Sequence, residues 1–151
     1  MKRAIKIYTN YNIREIEDDD YYKGFMDVIN IFTRNPLHIN HDAFKEYLKK
    51  IKNQNAVVLV AVDNDNNNII GTVKVIKEYK LHNNLTLMGH IEDVAVTEEC
   101  RHMRIGSKLI EKALEYTKDC YKVVLSCKKE LVPFYNKMEF IHSGVALTLY
   151  N

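Results

Sequence analysis

The sequence predicts a mixed α/β fold, a central sheet with antiparallel and parallel pairs flanked by helices, and three observations carry that expectation. Apolar, β-branched or alternating runs cover Ala56 to Val62, Ile69 to Tyr79 and Leu85 to Val96, separated only by the polar turns Asp63 to Asn68 and His82 to Asn84. That is the pattern of a three-stranded antiparallel meander. Past Val96 the apolar spacing turns helical, with Ile105, Leu109, Ala113 and Leu114 on one stripe, and a short apolar strand follows at Tyr121 to Ser126. Strand, helix and strand in that order predict a right-handed parallel crossover. Finally, acids or asparagines stand ahead of each early amphipathic run, where they suit the positive end of a helix.

In chain order, Ile5 to Ile16 alternates and gives one strand or two short ones. Glu17 to Asp20 then precede the stripe Tyr21, Phe25, Val28, Ile29 and Phe32, the first helix, which Asn35-Pro36 ends because proline pushes its predecessor out of the α region. Asn40 or Asp42 caps a second helix through Phe44, Tyr47, Leu48 and Ile51. Ala56 to Val62 is so continuously apolar that both its faces should be covered. After the meander and the crossover helix, Pro133 fits the first turn of a helix carrying Phe134 and Tyr135, where a missing N–H costs little. Phe140 to Tyr150 closes the expected order, β-α-α-β-β-β-α-β-α-β, as a last strand. The whole of 1–151 reads as a single domain, without repeat or linker.

Composition narrows the function. Twenty-two basic and 20 acidic side chains leave a net charge of +2, so no overall field recruits nucleic acid or an anionic membrane. Lys49-Lys50-Ile51-Lys52 and Lys128-Lys129 read as solvated helix ends. No run approaches the roughly 20 apolar residues of a membrane span, and the start lacks the apolar segment of a signal peptide. Cys100, Cys120 and Cys127 are three cysteines without a Cys-x-x-Cys pair, which argues against a disulfide framework or zinc site and for a reducing, cytoplasmic setting. The six histidines have no metal-ligand spacing, Ser126 lacks the surroundings of a nucleophile elbow, and the P-loop pattern is absent. No metal is expected.

The chemistry-bearing stretch is Gly89-His90-Ile91-Glu92-Asp93-Val94-Ala95-Val96 with Arg101-His102-Met103-Arg104-Ile105-Gly106-Ser107 behind it. A helix that opens just after a buried strand aims unpaired amides and a partial positive charge at one point, which makes an anion site. Glu92 and Asp93 are adjacent, so on a regular strand they face opposite sides; the plain alternative to a functional role for both is that one is a solvated or capping carboxylate. Tyr135 alone reads as a core aromatic, and Lys80 alone as a surface lysine.

These residues resemble the GNAT superfamily of acyl-CoA-dependent N-acyltransferases over nearly the full length. The superfamily signature, Arg/Gln-x-x-Gly-x-Gly/Ala, reads here from Arg101 to Gly106, with Arg104 in place of a glycine. Three blocks resemble the glucosamine-6-phosphate N-acetyltransferase family more specifically: Gly89 to Val96, then Cys120-Tyr121-Lys122-Val123-Val124-Leu125 with Cys127, and Phe134-Tyr135-x-Lys137-x-x-Phe140. The resemblance implies an acetyltransferase that uses acetyl-CoA on a phosphorylated amino sugar, on the way to UDP-N-acetylglucosamine, and a homodimer whose sites are shared between protomers.

It also assigns roles. Val94, Ala95, Val96, Arg101, His102, Met103, Arg104, Ile105, Gly106, Ser107 and Tyr135 match coenzyme-binding positions, Glu92 and Tyr135 catalytic ones, and Thr33, Lys80, Glu92, Asp93 and Ser126 positions at the acceptor. The chain departs from the family at Ser126, where an aspartate is usual, at Leu131, where an asparagine is, and at Tyr150, where a terminal arginine holds the sugar phosphate. Two other readings therefore stand beside the first: an acetyltransferase for another small amine or a protein amine, and a non-catalytic acyl-CoA-binding module. Direct attack in a ternary complex suits a chain with no apparent covalent nucleophile.

Overall fold

The computed structural model describes residues 10–151 and contains one sheet of five strands in the order β1-β2-β3-β4-β5. These are β1 (Tyr11–Glu15), β2 (Ala56–Asp63), β3 (Ile69–Lys80), β4 (Thr86–Val96) and β5 (Cys120–Leu125). Successive pairs from β1 to β4 are antiparallel, so the expected meander forms and gains β1 on its outer edge. β4 and β5 are parallel, joined by helix α4 (Ile105–Tyr116). The expected first strand is seen from Tyr11 onward, while Ile5 and Ile7 lie outside the described residues.

Each face of the sheet buries its own core. On one side α4 lays Ile105, Leu109, Ile110 and Ala113 against Leu59, Ala61, Val73, Val75 and Ile91. On the other, α1 (Phe25–Ile29) and α2 (His41–Asn53) bring Phe25, Val28, Phe44 and Ile51 onto Val58, Val60, Val62 and Ala95. β2 thus alternates between two cores, which is why its sequence is an unbroken apolar run. Asn40 caps α2 as expected, its side-chain oxygen accepting from the Ala43 amide at 2.9 Å.

Two expected elements differ. The first helix is broken: a 3-10 stretch at Asp18–Lys23 stops at Gly24, which takes φ 89, and only Phe25–Ile29 is α-helical before a second 3-10 turn. Left-handed backbone ends a helix, and glycine takes it without a Cβ penalty. The last strand is also missing. Residues 141–151 have no regular structure within the chain and every one of them is exposed.

The turn between β3 and β4 contains a single helical turn, α3 (His82–Leu85). Gly89 in β4 lies against this scaffold so closely that an added Cβ would stand 2.8 Å from Thr117 Cγ2. Thr117 is itself buried, its hydroxyl donating to the Leu114 carbonyl at 3.2 Å. The contact seats the parallel pair β4–β5 on the end of α4.

Candidate active site

The site is built where β4 changes parity. Val75 pairs with Ile91 and Lys74 with Glu92, but the next matched pair is Thr72 with Ala95, so Asp93 and Val94 stand opposite Val73 alone. This is a β-bulge, and Asp93 occupies it with φ 51. Side chains four residues apart on a regular strand share a face, yet Ile91 packs on the α4 side and Ala95 on the α1/α2 side. The bulge supplies the extra half-step. Its consequence corrects the expectation of opposed carboxylates: Glu92 and Asp93 are both exposed, between the buried Ile91 and Ala95, and the charges of both reach the Tyr47 phenol on α2.

The strands part at the same level. Parallel pairing of β4 with β5 ends at Ile91 and Leu125, so Glu92 to Val96 run on without a β5 partner. Ser126 and Cys127, both exposed, follow β5. On the α4 side, α5 (Val132–Asn136) places Tyr135 in the core with edge-to-face contacts to Phe134 and Phe140. Burial, with a smaller push from Cys127, holds the Tyr135 phenol above its ordinary value, so it stays protonated and can donate.

The loop from Arg101 to Ser107 forms the start of α4. His102 and Arg104 take φ 66 and 65, and the Met103 amide closes back on the Cys100 carbonyl at 3.4 Å. The amides of Ile105, Gly106 and Ser107, which open the helix, donate to no backbone carbonyl among the described residues. Alternating left-handed residues ahead of a helix turn such amides inward as an anion cradle. Arg104 holds the conformation for which a glycine is usual, and its exposed side chain lies near enough to Tyr11 to act on that phenol together with Lys108. Gly106 sits under Phe134, whose Cζ is 3.4 Å from where a Cβ would be, so the cradle and α5 are packed as one unit.

The remaining expected positions are dispersed. Thr33 follows the 3-10 turn after α1, and its hydroxyl donates to the Asn35 carbonyl at 2.6 Å. Lys80 shares the α1/α2 face with Glu92 but lies opposite Thr86, six residues further along β4, or about 20 Å at strand rise. Its ammonium is paired with Glu78 at 2.6 Å, and His90 holds the other oxygen of that carboxylate at 2.9 Å. Lys74, a position outside the resemblance, lies directly across from Glu92. Its position between Val73 and Val75 in an alternating strand was the available signal. Among the described residues there is no cluster able to hold a metal ion, and no helix is long and apolar enough to cross a membrane.

Comparison with known proteins decides the family. The acetyltransferase (GNAT) family model matches residues 11–140. The chain belongs to this family. It is 32% identical to glucosamine 6-phosphate N-acetyltransferase 1 of Dictyostelium discoideum over 92% of this chain and 90% of that protein. Glucosamine 6-phosphate N-acetyltransferase 1 of Oryza sativa subsp. japonica is 30% identical over 93% of this chain and 87% of its own length. The crystal structure of glucosamine-6-phosphate N-acetyltransferase from Arabidopsis thaliana superposes with a TM-score of 0.89 at 28% identity, covering 94% of this chain and 99% of that one. In this member of the GNAT family the loop Arg101 to Ser107 opens α4, and the β4 bulge stands at Asp93 and Val94.

Proposed function

We propose that the protein is an acetyl-CoA-dependent N-acetyltransferase, working as a single domain, that converts glucosamine-6-phosphate to N-acetylglucosamine-6-phosphate, a step toward UDP-N-acetylglucosamine. The observation that carries this reading is the β4 bulge, which brings two exposed carboxylates to the part of β4 that runs on beyond its pairing with β5. An acceptor entering from the α1/α2 side and a thioester held from the α4 side meet between the parted strands. The similarity to glucosamine-6-phosphate N-acetyltransferases from several eukaryotes supports the choice of acceptor.

Acetyl-CoA, when bound, supplies an activated acetyl group on sulfur. The chain's own groups fit it: the open amides of Ile105, Gly106 and Ser107, with Arg101 to Arg104 as the rest of the cradle, suit a pyrophosphate, and Val94 to Val96 offer strand edge beyond the end of β5. An amine attacks a thioester only when neutral, so a proton must leave it. Glu92 takes that proton, directly or through a water. The backbone N–H of Val94, in the bulge, polarises the carbonyl, and Tyr135 donates to the departing sulfur. Asp93, Thr33, Lys80 and Ser126 hold the sugar phosphate in this scheme. Lys80 is remote from Glu92 within one chain, so it acts from a second copy or on a distant part of the acceptor.

A homodimer completes the reading, with residues 141–151 of one copy serving its partner's site. Three free cysteines suit a reducing compartment such as the cytoplasm.

The test is thiol release from acetyl-CoA with glucosamine-6-phosphate. Release is expected, and a Glu92→Gln variant should lose about 10²- to 10⁴-fold in kcat, the usual weight of a general base. A variant with full turnover across the pH range removes Glu92 from that role. Release with a different amine but not with this sugar selects another acceptor, which the departures at Ser126 and Tyr150 would then explain. Binding without turnover on any amine selects a non-catalytic module.

A further inference from the structure

The sequence presents Tyr47 as one more apolar position of α2, three residues after Phe44, but its surroundings are not those of a core aromatic. Phe44 and Ile51 bury the inner stripe of the helix, and Tyr47 is half-buried beside it, packed on the α1/α2 core. That is the face to which Glu92 points, because Ile91 before it packs on the α4 side and Lys74 across from it alternates with Val73 and Val75. Burial first, then the charges of Asp93 and Glu92, push the Tyr47 phenol up to about 12. It therefore stays protonated, a hydrogen-bond donor on the same face of the sheet as Glu92 and within the field of both carboxylates.

Other hydroxyls on this side are engaged. Tyr21 donates to the Ile39 carbonyl at 2.9 Å, Tyr22 meets His41 Nδ1 at 3.0 Å, and Thr33 donates within its own loop. The Tyr47 hydroxyl has no hydrogen-bond partner among the described residues.

We propose that Tyr47 is a positioning residue for the acceptor, its hydroxyl donating to an oxygen of the amino-sugar phosphate held between α2 and the Glu92–Asp93 bulge. The role rests on the acceptor reading above. A donor on the helix wall and carboxylates on the strand wall fix a polyhydroxylated ring from two sides, which a strand alone cannot do. The oxygen is a ring hydroxyl or a phosphate oxygen, and both accept the same bond.

The test is steady-state kinetics of Tyr47→Phe, which keeps the ring and its packing. The KM for glucosamine-6-phosphate is expected to rise roughly 5- to 30-fold, the weight of one hydrogen bond to a substrate oxygen, with the KM for acetyl-CoA and the melting temperature unmoved. Repeating the comparison with glucosamine locates the bond: an equal loss on both sugars assigns a ring hydroxyl, and a loss confined to the phosphorylated one assigns the phosphate. An unchanged KM for the sugar phosphate, or an equal rise for acetyl-CoA, overturns the role. Wild-type protein run alongside separates two failures. No thiol release from it with glucosamine-6-phosphate overturns the acceptor reading and this role with it, whereas a working wild type matched by Tyr47→Phe overturns the role of Tyr47 alone.

Discussion

Arg104 is the residue at which local chemistry and site geometry disagree most. At φ 65 its Cβ crowds the following carbonyl, a cost on the order of 1 kcal/mol that glycine avoids. The loop keeps that conformation because the Arg104 carbonyl must accept from the Lys108 amide, at 3.1 Å, while the amides behind it stay free. Arg104→Gly is accordingly expected to raise the melting temperature of the unliganded protein by about 2–4 °C, the equivalent of 1 kcal/mol in a chain of this size. Thermal unfolding followed by circular dichroism decides it, and a fall in melting temperature means that the guanidinium contributes more than the backbone costs. Asp20 is the opposite case, a fully buried carboxylate whose every oxygen is used. Arg14 forks onto it at 2.7 and 2.8 Å and the Glu17 amide donates at 2.8 Å, which ties β1 to the 3-10 stretch ahead of α1. Burial raises its pKa, but the bonds from Arg14 and Glu17 and the nearby charges outweigh it and leave the group below its ordinary value. A carboxyl lowered on folding stabilises the protein above its unfolded pKa, roughly 4, and that contribution is lost as pH falls through the folded value. Asp20→Asn should therefore cost about 2–3 kcal/mol at pH 7, the low end for a broken buried pair because Arg14 keeps contact with water. Urea unfolding at pH 7 and pH 3 checks both parts: the gap between wild type and variant must narrow at the lower pH.

At the scale of elements, periodic segments were legible and interruptions of period were not. The meander, α2, α4 and the parallel β5 follow from apolar spacing because each buries a regular face, and the two-core burial of β2 was visible in its unbroken run. The bulge was missed, although Ile91, Val94 and Val96 carried the signal: a step of three followed by a step of two cannot fit one face of a flat strand. Reading Glu92 and Asp93 as opposed followed from that omission. The break in the first helix was missed as well, although Gly24 stands inside an otherwise helical stripe. Within the candidate site, the resemblance supplied Glu92, Tyr135 and the coenzyme loop, but a list of matching positions carries no distances. Hence Lys80 and Glu92 were grouped together although most of β4 lies between them. Lys74 and Tyr47 were hidden for the converse reason, each sitting at a position whose neighbours are core residues.

At the scale of the whole molecule, a single copy leaves residues 141–151 without a place. Val145, Leu147 and Leu149 occupy alternate positions and are 83%, 94% and 86% exposed, the pattern of a strand with one apolar face and nothing among the described residues to cover it. Among the described residues the outer edge of β5 is an unpaired row of backbone groups, and Tyr79, Leu81 and Leu85 leave further apolar surface uncovered at the adjacent hairpin. Exchange of this segment between two copies removes both liabilities through one symmetric contact. Burying three such side chains is worth about 2 kcal/mol each in either direction, or some 12 kcal/mol for the pair before the cost of association. The expected mass by light scattering is therefore twice the 17.7 kDa of the chain. On the proposed shared site, Leu147→Asp with Leu149→Asp places charges on the apolar face and should give a monomer that keeps its helix and strand content but loses thiol release with the sugar phosphate. A wild type that runs as a monomer at assay concentration, fully active, rules out the shared site, and a dimeric double variant moves the interface away from this segment.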